Sequence, residues 1–571
     1  PAAPVFRISP AEPWRVVRTR QRAADPVLSR RLPPTELFAA GFFTSATGVT
    51  VYRGSSYPPN YRGNVFVGDV GGNLVHRKIL DAEGPTYRAW RADRNTEFLA
   101  STDNWFRPVN FANTPDGTLL VIDMYRETIE HPHSIPEPIK KHLDLTSGND
   151  RGRLYNLAYA GSARRPRPNL GHAPADELVR LLADPDSWWR ETAQRLLFER
   201  QDRSVVESLR KMVKARPTAL GRLHALWTLQ LLTGLDSESI VRGLEDPEPR
   251  VREQAILLAE ARLPREPELL AKLLPLAGDK DPMVRLQLAF SLGEANTDPR
   301  VIAALASIGT ADAPSVWTRT AVSSSIAGRS LAFLGALGIQ KGFLTTDAGR
   351  AWLDELAFLV GSERDPVQST RLLDAMNDAR IGTQLLMRAA VALGRARQRA
   401  GGSIRPVLEG TKSNLAASLL ADAVRFAGSD GQVEDRLVAI KLLRLADQKA
   451  ARILFPSLLD ARQPMAVQLG VLQALGGLFD RDVARQVVMH WRSMSPTVRR
   501  EGAEVLFSRR DGVEAVIGAI ESRAILPSEL DPVRLKELDA YADPSLQTRA
   551  RKILAADGST SRNRGQVVAS Y

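Results

Sequence analysis

Residues 104–133 contain most of the side chains in this sequence that could do chemistry. At their middle, Thr114-Pro115-Asp116-Gly117 is typical of a turn, because proline fixes φ and glycine accepts a positive φ. Runs of strand-forming residues flank the turn, so the sequence predicts a β-hairpin. Antiparallel strands bring the first residue of one strand beside the last residues of the other. One edge is therefore expected to collect Arg107, Asp123, Tyr125, Arg126, Glu127, His131 and His133.

Charged and imidazole groups at strand ends are typical of a functional rim. Arginines there could bind anionic oxygens, a histidine could act as a base on a hydroxyl group, and Asp69, Asp103 and Asp123 could supply oxygen ligands to a metal. The alternative is a solvated loop after an ordinary hairpin, in which aspartate is a turn residue. His76 alternates along a predicted strand and could face a channel, although a structural histidine is the preferred interpretation.

Short β runs separated by Gly, Pro and Asn turns extend from residue 41 to about residue 160. Four runs precede the hairpin and predict one sheet, while the hairpin and a run within residues 151–159 begin a second. Repeated four-stranded meanders are typical of a β-propeller, whose blades surround a channel. About two blades are present, fewer than the four to eight that close a propeller, so the missing blades are expected before Pro1.

The rest of the chain divides by composition. Residues 1–40 are predicted to be irregular, because prolines interrupt their many arginines. Residues 161–173 read as a stiff, basic linker, residues 174–555 as HEAT-like helical repeats, and residues 556–571 as a polar linker towards a missing module. The predicted fold class is thus multidomain β then α, with a partial β-propeller of about two blades followed by a HEAT-like α-solenoid.

The helical part repeats an Asp-Pro helix start roughly every 30–34 residues, although residues 327–405 lose this signal and their repeats stay unplaced. One repeat position is arginine, at Arg190, Arg252 and Arg285. A structural ladder with the aspartate of the next turn is favoured there over a ligand site. Trp188 and Trp189 are expected to pack the first repeat against the sheet region.

Length and composition exclude several classes of protein. At 571 residues and 44% hydrophobic content, the chain supports two or more folding units, and its first residue is proline, which suggests a fragment or a processed product. No run of about 18 apolar residues occurs, so no transmembrane segment is predicted. The absence of cysteine excludes disulfides, thiolate nucleophiles, zinc fingers and iron–sulfur ligation within these residues. The formal charge of +12 is spread among acidic residues, which makes nucleic acid an unlikely partner.

Three parts of the chain carry a resemblance to a known family: residues 72–77 with 106–111 and 123–132, residues 188–197, and residues 224–229. They resemble the large membrane-bound-type dehydrogenases of planctomycete and verrucomicrobial bacteria. In that family, a propeller similar to quinoprotein glucose/sorbosone dehydrogenases precedes HEAT-like repeats and a c-type cytochrome module. The early blades and the haem module are missing here, so the resemblance makes this chain a fragment.

The resemblance implies a periplasmic or cell-envelope enzyme that oxidises a sugar or alcohol and passes electrons to a c-type cytochrome, with the isolated fragment inactive. Its cofactors would be pyrroloquinoline quinone and calcium, and haem c would belong only to the missing module. The implied catalytic residues are His131 and His133. The implied cofactor-binding residues are Arg107, Arg126, Tyr125 and His76, and the implied metal ligands are Asp69 and Asp123.

Two other functions stay open, and in neither is this chain an enzyme. The helical repeats could be a binding scaffold for a protein partner, or less readily for DNA. They could also be a purely structural spacer between a propeller and a haem module.

Overall fold

The structure is a computed structural model that describes residues 4–556 apart from 26, 163–164, 216–217, 296, 339–341, 364 and 413. The chain forms two compact units, Pro1–Ser325 and Ile326–Tyr571. The predicted polar linker, from residue 557 onwards, lies outside the described residues.

Two antiparallel sheets lie at the start of the first unit. Their strands are β1 (Ala46–Val51), β2 (Val65–Asp69), β3 (Leu74–Glu83), β4 (Thr86–Arg91), β5 (Leu99–Ala100), β6 (Pro108–Asn113), β7 (Leu119–Asp123) and β8 (Arg153–Leu157). The first sheet has the order β1-β2-β3-β4, with β5 also paired to β3, and the second has the order β6-β7-β8. The predicted hairpin is β6-β7, in which Asn113 pairs with Leu119 and Gly117 adopts a φ of +86°.

A common apolar core joins the two sheets. Its buried side chains are Tyr52, Phe66, Val75, Phe106, Phe111, Leu119 and Val121. Gly48 allows the close approach of β1 to β6, because a Cβ at this position would lie 2.7 Å from the Cα of Asn110. No closed propeller is found in the described residues. The coarser prediction, a small antiparallel sheet region followed by a helical solenoid, is confirmed.

The N-terminal segment differs from its prediction, because part of it is helical. Helix α1 (Pro13–Ala24) begins at a proline, which the first turn of a helix tolerates since its N–H would have no partner there. Trp14 is buried, and the guanidinium carbon of Arg18 lies 4.9 Å from the centroid of its ring. The prediction of an irregular segment was wrong here because Pro13 starts the helix instead of interrupting it.

Helix pairs follow the sheets in the first unit. The remaining helices of this unit are α2 (Leu28–Arg31), α3 (Glu137–Lys140), α4 (Ala175–Leu181), α5 (Ser187–Arg200), α6 (Val206–Ala215), α7 (Ala219–Leu231), α8 (Ser237–Leu244), α9 (Pro249–Glu260), α10 (Pro267–Leu273), α11 (Pro282–Ser291), α12 (Pro299–Ala311) and α13 (Val316–Ser325). Helices α5, α7, α9, α11 and α13 contact one another in turn, and we call them the second-helix layer. Helices α4, α6, α8 and α10 contact one another in the same way and form the opposite layer, as in stacked helical repeats.

The second unit is helical throughout its described residues. Its helices are α14 (Ser330–Gly338), α15 (Asp347–Ser362), α16 (Pro366–Asp378), α17 (Thr383–Arg399), α18 (Arg405–Glu409), α19 (Leu415–Gly428), α20 (Val433–Ala446), α21 (Gln448–Leu454), α22 (Met465–Gly476), α23 (Arg481–His490), α24 (Pro496–Phe507), α25 (Arg510–Glu521), α26 (Pro532–Asp539) and α27 (Pro544–Ala556). Helices α15, α17, α20, α22 and α24 contact one another in turn. Among the helices described in either unit, none combines the length and apolar character needed to cross a membrane.

Candidate functional site

Arg107, the predicted cofactor-binding cation, is buried at the edge of the second sheet, with only 1% of its surface exposed. Its backbone N–H donates to Oδ1 of Asp123 at 2.7 Å, so the hairpin brings these two residues together as predicted. Its guanidinium donates to Oε1 of Glu12 at 3.0 Å. It also donates, at 2.7–2.9 Å, to the carbonyl oxygens of Val70, Arg126 and Glu127. Four of its five N–H groups are therefore used inside the fold.

Glu12 connects the start of α1 to this edge. Its carboxylate lies 3.0 Å from Nη1 of Arg107, 3.4 Å from Nη1 of Arg7 and 3.7 Å from Nε of Arg15. Burial raises the pKa of Glu12, but the three arginines outweigh burial and hold this pKa below its ordinary value. Burial lowers the pKa of Arg107, and Glu12 opposes that effect. The start of α1 thus covers the edge at which the sequence predicted an open cofactor site.

The two predicted metal ligands, Asp69 and Asp123, are buried and accept hydrogen bonds from backbone N–H groups instead. Asp69 accepts hydrogen bonds at 3.1–3.3 Å from three backbone N–H groups, those of Thr44, Ser45 and Gly71. Oδ1 of Asp123 accepts from the backbone N–H groups of Arg107 and Tyr125. Burial raises the pKa of both carboxyl groups, and these hydrogen bonds oppose it. In the part of the chain that the structure describes, no three His, Asp or Glu side chains are grouped to hold a metal ion, so the donor set does not fit calcium.

The predicted catalytic histidines lie on the surface. His131 and His133 flank Pro132 in a short 3₁₀ turn, and their exposed rings stack with centroids 5.2 Å apart. Nδ1 of His131 accepts from the backbone N–H of His133 at 3.3 Å. Across the described residues, no hydrogen bond joins either histidine to Arg107. The base and the cation of the predicted site therefore share no hydrogen bond, and the histidines are exposed whereas Arg107 is buried.

The other two predicted cofactor-binding residues at this edge, Tyr125 and Arg126, also have local partners. Tyr125 adopts a φ of +48°, and the guanidinium carbon of Arg153 lies 3.4 Å from the centroid of its ring. Nη2 of Arg126 lies 3.5 Å from the carbonyl oxygen of Leu145. These contacts stabilise the loop after β7. The pyrroloquinoline quinone site stays a prediction, and the arrangement of these residues does not fit it.

His76, the remaining predicted cofactor ligand, is a buried side chain of β3. Its Nδ1 lies 2.7 Å from Oε2 of Glu97, and its ring meets Phe43 edge to face at 5.3 Å. Glu97 also accepts from the backbone N–H of Phe6 at 2.9 Å. Burial raises the pKa of Glu97, but its partners, His76 first, outweigh burial and lower this pKa overall. His76 therefore contributes to packing between the first sheet and the N-terminal segment.

The hairpin turn, at the opposite end of β6 and β7, contacts the first helix pair. The indole N–H of Trp189 donates to the carbonyl oxygen of Pro115 at 2.8 Å. The hydroxyl of Ser55 donates to Oδ2 of Asp186, the residue that caps α5, at 2.9 Å. The first repeat is thus fixed to the sheets through Trp189, as the sequence predicted for the tryptophan pair.

Arginines in the second-helix layer form a ladder with the aspartates that precede the next helix of that layer. The pairs, each with two hydrogen bonds, are Arg222 with Asp246, Arg252 with Asp279, and Arg285 with Asp312. Arg190, Arg252 and Arg285 also donate to the carbonyl oxygen six residues earlier in the chain. Arg252 and Arg285 thus form the structural ladder that the sequence favoured, whereas Arg190 makes no aspartate pair within the described structure and donates instead to Nε2 of His224 at 3.4 Å.

The exposed large apolar side chains of the first unit's helical part all lie in the second-helix layer. Between residues 175 and 325, among those described, they are Phe198, Leu220, Leu231, Leu257, Phe290, Val316 and Trp317. Each belongs to α5, α7, α9, α11 or α13, and none of the described ones belongs to α4, α6, α8, α10 or α12. Apolar surface that is concentrated on one face is typical of an interaction site.

Part of this surface repeats at one position of successive helices. The residue five places after each ladder arginine is Trp227 in α7, Leu257 in α9 and Phe290 in α11. Leu257 is 38% exposed, Phe290 is 45% exposed and Trp227 is half-buried. Equivalent positions on stacked helices lie on the same side of the stack. We call Trp227, Leu257 and Phe290 the apolar ridge.

The β3-β4 hairpin of the first sheet reaches the same layer. Pro85 and Tyr87 of this hairpin face α7, α9 and α11 across a cavity of about 330 Å³, the hairpin cleft. Its apolar wall on the helices is formed by Leu223, Met283, Leu286 and the ridge residue Phe290. Tyr87 is 53% exposed, so the cleft opens towards solvent.

The polar wall of the hairpin cleft is balanced in charge. Arg250 forms ion pairs with both Glu253 and Asp281. Burial raises the pKa of Glu253, Arg250 opposes that effect, and Asp281 adds to it. Since these charges satisfy one another, the apolar side chains are the main binding feature of the cleft.

Neither the apolar ridge nor the hairpin cleft was predicted from the sequence. The ridge had a usable signal, because aligning the repeats on Arg222, Arg252 and Arg285 places an apolar residue five positions later each time. The cleft had none, because it joins β4 to helices that are distant in the sequence.

Comparisons with known proteins agree with two parts of this fold. Residues 5–161 match the family model of a domain of unknown function, DUF7133. Residues 237–326 match the model of HEAT repeats. The chain has no significant match among curated protein sequences.

Several solved structures resemble this chain at low similarity. A chain from the complex of Kap95p with RanGDP has a TM-score of 0.31 and 12% identity, covering 67% of this chain and 66% of that one. Kap121p has a TM-score of 0.33 and 14% identity, and the match covers 66% of this chain and 48% of that one. A chain from a study of cadherin and beta-catenin has a TM-score of 0.23 and 17% identity, and the match covers 66% of this chain and 99% of that one. This chain thus spans less than two thirds of the first two proteins, and at these TM-scores no function is transferred.

These findings correct the resemblance on which the dehydrogenase expectation rested. The sheet region matches the model of a domain of unknown function. The predicted cation, Arg107, is buried under α1, and the predicted catalytic histidines lie on the surface. The predicted metal-binding aspartates accept hydrogen bonds from backbone N–H groups. The assignment to the dehydrogenase family was therefore wrong, and what stands is a small antiparallel sheet domain followed by HEAT repeats.

Proposed function

We propose that this protein is a HEAT-repeat scaffold that binds a protein partner on its second-helix layer. The observation that carries the proposal is the confinement of every exposed large apolar side chain in the described part of residues 175–325 to that layer. Exposed apolar groups gain free energy when a partner covers them, by about 25 cal/mol per Å². A face that concentrates them is the natural docking surface.

The apolar ridge and the hairpin cleft give this surface its shape. Trp227, Leu257 and Phe290 offer a line of apolar contacts, and the cleft beside Phe290 offers a cavity for one side chain of the partner. Aromatic anchors in such cavities often dominate the energy of an interface. We infer that the partner presents an apolar segment with at least one bulky side chain.

Nucleic acid is the less favoured partner. Phosphate binding requires available cations along the surface, each of which releases counterions. The ladder arginines Arg222, Arg252 and Arg285 are already paired with aspartates, and Arg250 of the cleft is paired twice. The ridge therefore favours an apolar protein surface over a phosphate backbone.

Site-specific photo-crosslinking tests the proposal. A photoreactive phenylalanine analogue at Leu257 or Phe290 is expected to crosslink a defined partner in cells, whereas the same analogue at Ala271, exposed on α10 of the opposite layer, is not. Equal crosslinking from both layers contradicts the proposal. The captured partner is then purified for direct binding measurements.

Binding of the purified partner gives the quantitative test. Changing Trp227, Leu257 and Phe290 together to serine is expected to weaken binding by at least about a hundredfold, since each anchor contributes roughly 1–2 kcal/mol. The matched control changes three exposed residues of the sheet region to serine: Val49, Leu154 and Tyr159. Calorimetry that finds the same affinity for both triple variants argues against the ridge as the docking surface.

The interpretation of the two sheets as propeller blades stays a prediction, and so does a periplasmic or cell-envelope location. The blade interpretation has one supporting feature, the consecutive antiparallel order β1-β2-β3-β4 of the first sheet.

A further inference from the structure

A continuous groove runs along the second unit. It consists of three adjoining cavities of about 550, 310 and 180 Å³. The first and second share Thr345, Ile381 and Leu385, and the second and third share Arg388, Glu434 and Val438. The groove therefore passes from the end of α14 across α17 to α20. We call it the second-unit groove.

One end of this groove is apolar. Its walls are formed by Leu331, Leu334, Leu344, Met376, Ile381 and Leu385. Glycines of α14 keep the cavity open, because a Cβ at Gly335 or Gly338 would meet no atom within 4 Å. A volume of about 550 Å³ lies within the range of roughly 300–1,000 Å³ that is typical of ligand sites. This end can take one or more bulky apolar side chains.

The groove as a whole, its apolar end included, is lined by more cations than carboxylates. Arg388 is neutralised by Asp354 at 2.7 Å and by Glu434 at 2.9 Å. Three other cations line the groove with exposed side chains and form no ion pair among the described residues: Arg380, Arg395 and Lys441. Asp435 is the one lining carboxylate that pairs with no cation in that same part of the chain.

We propose that the second-unit groove binds a short acidic peptide segment that begins with a bulky apolar anchor. The anchor occupies the apolar end, and the carboxylates that follow it meet Arg380, Arg395 and Lys441 along the groove. This surface is separate from the second-helix layer, so the proposal goes beyond the function proposed above and does not depend on it.

The composition of the groove favours a peptide over a nucleic acid. A phosphate backbone carries charge at every residue and has no apolar group to fill the cavity beside Leu334 and Met376. It would also pass the carboxylates of Asp354, Glu434 and Asp435, which repel phosphate. An acidic peptide can place neutral residues there and supply the apolar anchor.

Fluorescence anisotropy with labelled probes tests the proposal on the full chain. The probe is the peptide Leu-Phe-Leu-Gly-Asp-Glu-Asp-Glu, and the comparison probes replace its acidic residues with lysine or its Leu-Phe-Leu anchor with serine. The acidic peptide is expected to bind at least about tenfold more tightly than either comparison peptide, and more weakly as salt screens the charges. A lack of binding, equal binding of the three peptides, or tighter binding of a single-stranded oligothymidine overturns the proposal.

Two kinds of variant locate the binding. Reversal of the groove charges, by Arg380→Glu, Arg395→Glu and Lys441→Glu together, is expected to weaken binding at least about tenfold. The matched control makes the same change at three exposed cations outside the groove, Arg371, Lys449 and Arg500, and is expected to have a smaller effect. Equal weakening in the two triple variants overturns the proposal, because it indicates binding by net charge.

Gly335→Phe adds an aromatic ring to the apolar end at a position where a Cβ meets no atom within 4 Å, and it leaves the charge of the groove unchanged. It is expected to remove the advantage of the apolar anchor, so that the acidic peptide and its serine-anchored form bind alike. If the anchored peptide keeps its advantage in Gly335→Phe, the anchor lies elsewhere and the proposal fails. This variant also serves if the triple charge reversal unfolds the second unit.

Discussion

The side chain of Arg190 holds His224 in its neutral form. Nε of Arg190 donates to Nε2 of His224 at 3.4 Å, so this ring nitrogen is an acceptor, and Nδ1 lies 2.7 Å from Oε1 of Gln194 and donates to it. A second proton on Nε2 would face the guanidinium N–H directly. Burial, together with the positive charges of Arg190 and Arg53, lowers the pKa of His224 from 6.5 to about 4.

This relationship predicts a loss of stability in mild acid. Since the pKa of His224 is lower in the folded state than in the unfolded state, the unfolded chain binds more protons between about pH 6.5 and pH 4, and folding weakens as pH falls through that window. Replacing the ring by His224→Gln is expected to remove on the order of 2–3 kcal/mol of this pH dependence. Urea unfolding of the first unit at pH 7.5 and pH 4.5 measures it. The exposed His142→Gln serves as control, and an unchanged pH dependence in His224→Gln would contradict the prediction.

The buried pair of Glu12 and Arg107 predicts a strong mutational effect. Glu12→Gln leaves the guanidinium of Arg107 buried without its counter-charge, which typically costs about 3–5 kcal/mol. Glu36→Gln is the matched control, because Glu36 and its partner Arg22 are 45% and 28% exposed, so that the loss of this pair costs at most about 1 kcal/mol. The free energies of unfolding of the first unit are compared at neutral pH. Equal effects of the two changes would show that Glu12 is not the partner that stabilises Arg107.

Local sequence was enough to predict the hairpin and its edge. The turn at Thr114–Gly117 sets the pairing of β6 with β7 and places Arg107 and Asp123 at the same edge, while a register shift between Pro108 and Asn110, which the sequence did not predict, sets Pro108 opposite Asp123. The ladder was predictable for the same reason, since Asp-Pro turns and arginine recur at a fixed spacing, as at Arg252 and Arg285.

The function of that edge could not be predicted, because it depends on contacts between residues that are distant in sequence. Glu12 lies 95 residues from Arg107, and no local pattern indicates that the start of α1 covers the guanidinium. Without Glu12, an arginine at a strand end has the appearance of an available cation. The hairpin cleft was missed for the same physical reason, since Tyr87 and Phe290 meet only through the tertiary fold.

The ladder predicts that its most buried member is important for the stability of the first unit. Arg222 and Asp246 are 7% and 3% exposed, and Asp246→Asn removes the charge that compensates Arg222. A loss of about 3 kcal/mol is expected. Glu207→Gln, which removes an exposed partner of Arg210, is expected to cost no more than about 1 kcal/mol. Thermal unfolding measures both variants, and a negligible shift for Asp246→Asn would show that the ladder adds little to stability.

The bond between Trp189 and Pro115 predicts that the first helix pair stabilises the hairpin turn. Trp189→Phe keeps an aromatic ring on the buried face of α5 but removes the indole N–H that donates to the carbonyl oxygen of Pro115 at 2.8 Å. The cost is expected to be roughly 1–2 kcal/mol, from one lost hydrogen bond and a smaller ring. Hydrogen exchange of β6 and β7 should therefore become faster in the variant. The neighbouring change Trp188→Phe is the control, because the indole of Trp188 makes no such bond to the hairpin within the described structure. If both variants leave exchange in the hairpin unchanged, the turn is stable without the helices, and Trp189 serves only to pack α5.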